Sequence, residues 1–116
     1  NIKKLGLPFD DDIDVLLTRG ENGWGSSKAS RRSHVSEDHR VIMMFGDNLN
    51  DFFDLPDKAD YVTRKDSVLE YENMWGNKWF MLANPVYGHW EQSIYGFELL
   101  DEESKTKAKL ENIRVN

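Results

Sequence analysis

The sequence predicts an α/β fold, a parallel sheet flanked by helices, and three observations carry that reading. Short apolar runs at 13–18, 41–45 and 78–82 have the length of buried strands rather than helices. A polar stretch rich in Lys and Arg separates the first two, long enough for the helical crossover that parallel strands need. Residues 45–52, Phe-Gly-Asp-Asn-Leu-Asn-Asp-Phe, set two carboxylates directly after an apolar run, where an open parallel sheet binds its ligands.

The elements follow in order. Asn1-Ile2-Lys3-Lys4-Leu5-Gly6-Leu7-Pro8 reads as the last turn of a helix, with apolar residues three apart, lysines near the end, Gly as a stop and Pro just beyond. No start for that helix is present, so the expectation is a piece of a longer protein. After the acidic loop Asp10 to Asp12, Ile13 to Thr18 holds the run Val15-Leu16-Leu17 and reads as a strand. Gly20 to Gly25 is a turn region with Asn22-Gly23. Ser26 or Ser27 can cap a helix running to about Asp38, and the strand 41–45 follows. Residues 48–58 leave the sheet, and Asp60 to Thr63 is a short turn or strand. Val68 to Trp75 is helical, Lys78 to Leu82 is the third strand, and Asn84-Pro85 ends it. Residues 90–100 fit helix and strand patterns equally. Glu102 to Val115 is a polar, weakly amphipathic helix.

Composition narrows the function classes. The hydrophobic share of 39% argues for a globular piece, and 116 residues allow one modest core. The net charge of -6 disfavours a nucleic acid polymer as partner, because neutralising its backbone needs a basic face. A local positive site for one phosphate remains allowed. With no cysteine there is neither a disulfide nor a thiolate zinc site. His34, His39 and His89 have no zinc-like spacing and read as exposed or hydrogen-bonded structural residues. No apolar run approaches the roughly 18 residues of a membrane span.

Asp47 and Asp51 carry the chemistry. Gly46 supplies a tight turn after the strand, which makes Asp47 the first side chain able to face the crevice. Asp51 lies four residues on, so both carboxylates can point to one place if a helix starts at Asn48. Hard oxygen ligands of this kind suit Mg2+. An EF-hand is excluded because Leu49 and Phe52 stand where oxygen and glycine are required. A P-loop is excluded because the lysine after Gly25 arrives two residues late.

The block Gly46 to Phe52 resembles the last motif of the haloacid dehalogenase superfamily in the form carried by class C acid phosphatases, Gly-Asp-Asn-x-x-Asp-Phe. This family includes bacterial lipoprotein acid phosphatases and 5'-nucleotidases. Three other stretches agree in order and spacing. Ile2 to Gly6 is similar to the end of the helix after the second motif, and Ser26-Ser27-Lys28-Ala29-Ser30-Arg31 to the lysine motif. Phe80 to Glu91, with Asn84, Tyr87, Gly88 and Trp90, is similar to Leu-x-Asn-x-x-Tyr-Gly-x-Trp-Glu.

The resemblance implies the C-terminal portion, residues 1–116, of a single haloacid-dehalogenase-like phosphatase domain whose Rossmannoid parallel sheet here lacks its central nucleophile strand. It implies a Mg2+-dependent phosphomonoesterase acting through an aspartyl-phosphate on small esters, nucleoside monophosphates among them. Asp47 would be the direct metal ligand and Asp51 would orient metal-bound water or the lysine. Asn48 would hydrogen-bond near the phosphate, and Tyr87 would line the substrate pocket and stack on a nucleobase. Lys28 would offset the repulsion between carboxylate and phosphate, helped by a helix N-terminus. The attacking Asp is expected upstream of Asn1. The string Asp10-Asp11-Asp12-Ile13-Asp14 does not replace it, because it precedes its strand and would lie at the opposite sheet edge. The implied partner is the N-terminal half of the domain, without which the piece is neither well folded nor active; a homodimer is allowed. The resemblance also implies export to the cell envelope or periplasm. Alternatives are a non-catalytic binding or storage protein on the same scaffold and another phosphatase branch.

Overall fold

The computed structural model describes residues 3–6 and 13–113. They form two compact units, Asn1–His39 and Arg40–Asn116. Leu7 to Asp12, and with them the acidic loop, lie outside the described residues.

In the first unit, Lys3–Leu5 form one 3-10 turn, closed by the Gly6 N–H donating to the Lys3 carbonyl at 3.2 Å. Gly6 takes φ 68°, a stop that glycine adopts without strain. The strand expected over Ile13 to Thr18 is not formed. The segment has no ladder partner among the described residues, and side chains compete for its amides instead: Asp14 Oδ1 accepts from Leu16 N–H at 3.1 Å and Glu21 Oε2 from Thr18 N–H at 2.7 Å. Val15 and Leu16 are close to half exposed. The Gly20 to Gly25 turn is present, with Gly20, Asn22 and Gly23 all at positive φ.

The helix expected from Ser26 or Ser27 is α1, Ala29–Asp38. Ser27 Oγ accepts the Ala29 N–H at 3.2 Å, satisfying one of the free amides at the helix start. The Arg31 guanidinium reaches back to the carbonyls of Gly25, Ser26 and Ser27 at 3.0 to 3.3 Å, fixing the entry loop to the first turn.

The second unit holds a two-stranded parallel sheet, β1 (Met44–Gly46) beside β2 (Trp79–Met81), in the register Met44 to Trp79, Phe45 to Phe80 and Gly46 to Met81. The strand expected at 41–45 thus starts three residues late, and Val41, Ile42 and Met43 lie exposed before it. Alternation divides the sheet. Trp79 forms the core with Phe52 and Phe53, and Met44, Tyr71, Met74 and Trp75 pack against it. Phe53 stacks on Trp79 and Tyr71 with centroids 5.8 and 5.0 Å apart, and Phe52 meets Trp75 edge-on at 5.0 Å. On the other face Phe45 stacks on Phe80 at 5.0 Å, with Phe45 61% exposed.

Asp60, expected within a turn or strand, is the N-cap of α2, Tyr61–Glu70, and its Oδ1 accepts from Thr63 N–H at 2.8 Å. The helix expected over Val68 to Trp75 is the end of α2 followed by a 3-10 turn, Glu72–Met74. There Trp75 folds back so that its Nε1–H donates to the Val68 carbonyl at 3.0 Å. Within 90–100 the first half is helical and 96–100 is turn and irregular chain: α3, His89–Gln92, runs into a 3-10 turn, Ser93–Tyr95. The last helix, α4, spans Glu102–Asn112, capped by Asp101 and tied to α3 by a Lys109–Glu91 ion pair.

Candidate active site

The carboxyl ends of both strands converge on one loop cluster. Directly after β1, Asn48 caps a 3-10 turn, Leu49–Asp51, in which Asn48 Oδ1 accepts from Asn50 N–H at 3.2 Å. Asp51 returns its carboxylate to the start of the turn, where Oδ2 accepts from the Asp47 and Asn48 N–H groups, each at 3.0 Å. This is a capping box, and Phe52 and Phe53 immediately behind it are wedged into the aromatic core. Gly46 is the last strand residue rather than a turn at positive φ. Its lack of a side chain is still required, because a Cβ there would sit 2.5 Å from Asp51 Cβ and 2.6 Å from its Oδ2.

Asp47 is exposed, and its Oδ2 accepts from Asn84 Nδ2 at 2.8 Å. Asn84 stands in the loop after β2, held by its own Oδ1 accepting from Val86 N–H at 3.2 Å. The two strand ends are therefore clamped side chain to side chain. Asp47 Oδ1 accepts no hydrogen bond among the described residues. A free, exposed carboxylate oxygen on a braced side chain suits a hard divalent cation, which takes one or two protein carboxylates and fills its shell with water and phosphate oxygens. No group of three acidic or histidine side chains able to hold a metal exists among the described residues.

Asn48 and Asp51 share the loop with Asp47, and Tyr87 lies in the facing loop, 71% exposed. Lys28 lies in the first unit, exposed, at the cap position of α1. Pattern reading missed two positions. Asn84 stands out in sequence as a strand end and as part of the Leu-x-Asn-x-x-Tyr-Gly-x-Trp-Glu resemblance, with no role read for it, and its grip on Asp47 follows from the parallel pairing of two runs 35 residues apart. His89, read as structural, has Nδ1 3.3 Å from Asn48 Nδ2.

Asp47, Asn48 and Asn84 also line a cleft of about 990 Å3 with mostly apolar walls, among them Leu82, Val68 and Ile113. Arg64 of α2 borders the same cleft. It is 8% exposed, its side chain has no partner among the described residues, and burial pulls its guanidinium below the usual range.

Residues 1–90 match the model of an acid phosphatase family, subfamily IIIB of the haloacid dehalogenase superfamily, and the chain belongs to that family. The class C acid phosphatase from Bacillus anthracis has a structure similar to this chain, with TM-score 0.76 and 28% identity. The same enzyme with tungstate bound gives TM-score 0.78 at 28% identity. In both cases the whole chain is covered, but only 48% of the phosphatase, so the chain spans about half the length of these solved structures.

Proposed function

We propose that the intact protein is a Mg2+-dependent phosphomonoesterase to which these 116 residues contribute one metal-binding carboxylate and a phosphate-neutralising lysine. The observation that carries this reading is Asp47, exposed at the carboxyl end of β1 and braced by Asn84 from the neighbouring strand end. Acid phosphatase family membership makes phosphate transfer to water the matching chemistry. A bound cation would polarise the phosphoryl group and offset its charge.

Each residue then has a defined task. Asp47 supplies Oδ1 to the cation while Asn84 restrains the other oxygen. Asp51 holds the loop that presents Asp47 and Asn48, a task its two backbone hydrogen bonds support more strongly than orientation of water. Lys28, on a loop fixed by Arg31, neutralises phosphate and nucleophile. The nucleophile is an Asp of the half of the domain that precedes Asn1, which attacks phosphorus as the alcohol leaves with a proton from a second acid. Water then releases phosphate from the aspartyl-phosphate. Export to the cell envelope belongs to the same reading.

Tyr87, with its ring presented to solvent beside the site, favours nucleoside monophosphates as substrates. Tyr87→Ala in the intact protein is expected to raise KM for a nucleoside monophosphate about tenfold, in the range of one base stacking contact, and to leave glycerol phosphate unaffected. Equal effects on both substrates would remove the nucleobase from this reading. Binding of phosphomonoesters without turnover would favour a non-catalytic protein on the same scaffold.

A further inference from the structure

Asn48 and His89 form a second bridge between the two strand-end loops, beside the one from Asp47 to Asn84. The chain itself fixes the orientation of the Asn48 carboxamide. Its Oδ1 accepts the Asn50 N–H at 3.2 Å, and a flipped amide would set two donors against each other. Nδ2 therefore faces His89 Nδ1 across 3.3 Å. A carboxamide nitrogen only donates, so His89 Nδ1 must be the acceptor and the ring proton must sit on Nε2.

The backbone around His89 holds the ring where this bond needs it. Gly88, which precedes α3, takes φ 153°, a value side chains rarely adopt. A Cβ there would lie 3.2 Å from Trp90 Cδ1, so the glycine lets the indole close over the loop, and at 3.6 Å from Asn48 Nδ2 it would be in ordinary contact with the carboxamide. The imidazole packs against Phe97 with centroids 6.2 Å apart. Its remaining freedom is rotation about its own bonds, and the Asn48 contact selects the rotamer.

We infer that His89 is a positioning residue of the site: its Nδ1 holds the Asn48 carboxamide so that the second Nδ2 hydrogen is directed to a phosphoryl oxygen bound at Asp47. The consequence for phosphate rests on the phosphatase reading above, whereas the bridge and its tautomer do not. Removing the acceptor leaves Asn48 capped through Oδ1 but free to swing at Nδ2, which weakens ground-state binding and leaves the reacting atoms untouched.

Three variants in the intact protein separate this from a packing role. His89→Phe keeps a ring against Phe97 and removes the acceptor. His89→Asn puts Oδ1 in the place of Nδ1, and His89→Gln puts its oxygen in the place of Nε2. His89→Phe is expected to raise KM for a small phosphomonoester threefold to tenfold, about the worth of one neutral hydrogen bond, with kcat within about twofold. His89→Asn restores KM and His89→Gln does not. Nitrogen-detected NMR of the wild-type imidazole shows the Nε2–H tautomer, and Asn48→Leu converts it to a mixture. An unchanged KM in His89→Phe, equal KM values for the Asn and Phe variants, or a proton on Nδ1 would each overturn the inference. Absence of turnover in the wild type would count against the phosphatase reading, and the tautomer measurement would still decide the bridge.

Discussion

Asp51 makes sense of three neighbouring residues at once. Its carboxylate occupies the space of a Gly46 side chain and satisfies the amides of Asp47 and Asn48, so the glycine, the two presented side chains and the acid form one device. Gly46→Ala is expected to destabilise the protein by about 1–3 kcal/mol, the usual range for a forced overpacking, and to displace Asp47 along with the loop. Thermal unfolding and phosphatase turnover check both halves, and a variant with wild-type stability and activity would contradict the packing. Much of this was legible in sequence, since glycine, two acids four apart and a preceding apolar run mark the loop. The detail was not. A turn glycine and a glycine excluded by a neighbouring carboxylate look the same in a string of letters, and only the backbone path tells them apart. Asn84 was harder still, because its role depends on strand pairing.

Among the elements, the start of α1 was legible and that of α2 was not, and strands were read poorly where a neighbour decides. α1 followed from local chemistry, although its N-cap is Lys28 and Ser27, one residue earlier, only accepts the Ala29 N–H. Asp60 was missed as a cap because Tyr61-Val62-Thr63 favours strand, and the hydrogen bond from Thr63 N–H overrides that propensity. Ile13 to Thr18 has the composition of a strand but no ladder partner among the described residues, and propensity alone does not hold a ladder. The Asp60 cap also has a pH signature. Its carboxyl is held below the usual 3.8 chiefly by the Thr63 backbone hydrogen bond. A depressed folded-state pKa stabilises fully above the unfolded value and is lost as pH falls through the folded one, so this contribution is complete above about pH 3.8 and declines as the pH falls below it. Asp60→Asn keeps a capping oxygen that does not titrate. Its stability is expected to vary less than that of the wild type in acid denaturation between pH 5 and 2, starting from a slightly lower level; parallel curves would show that the cap does not titrate as described.

The chain as a whole spans about half the length of the solved phosphatases it matches, and its surface agrees with a structure designed to be covered. Ile42 is 67% exposed, Phe45 61% and Leu82 54%, all on or beside the two-stranded sheet. Two strands bury too little to stand alone, and exposed apolar strand surface invites association. The 116 residues expressed by themselves are expected to bind an apolar dye such as ANS and to lose structure without a sharp thermal transition. The intact protein should do neither, and a cooperative, dye-silent 116-residue chain would show that it needs no companion half. The proposed role of Asp47 is that of metal ligand in the intact protein. It is tested most directly by hydrolysis of p-nitrophenyl phosphate by the intact protein, wild type beside Asp47→Asn, during Mg2+ titration. The expected result is hydrolysis that chelator abolishes and Mg2+ restores, with Asp47→Asn weakening Mg2+ and lowering kcat/KM by about a hundredfold or more. Absence of hydrolysis at any Mg2+ concentration, or an Asp47→Asn variant with unchanged Mg2+ dependence, would contradict it.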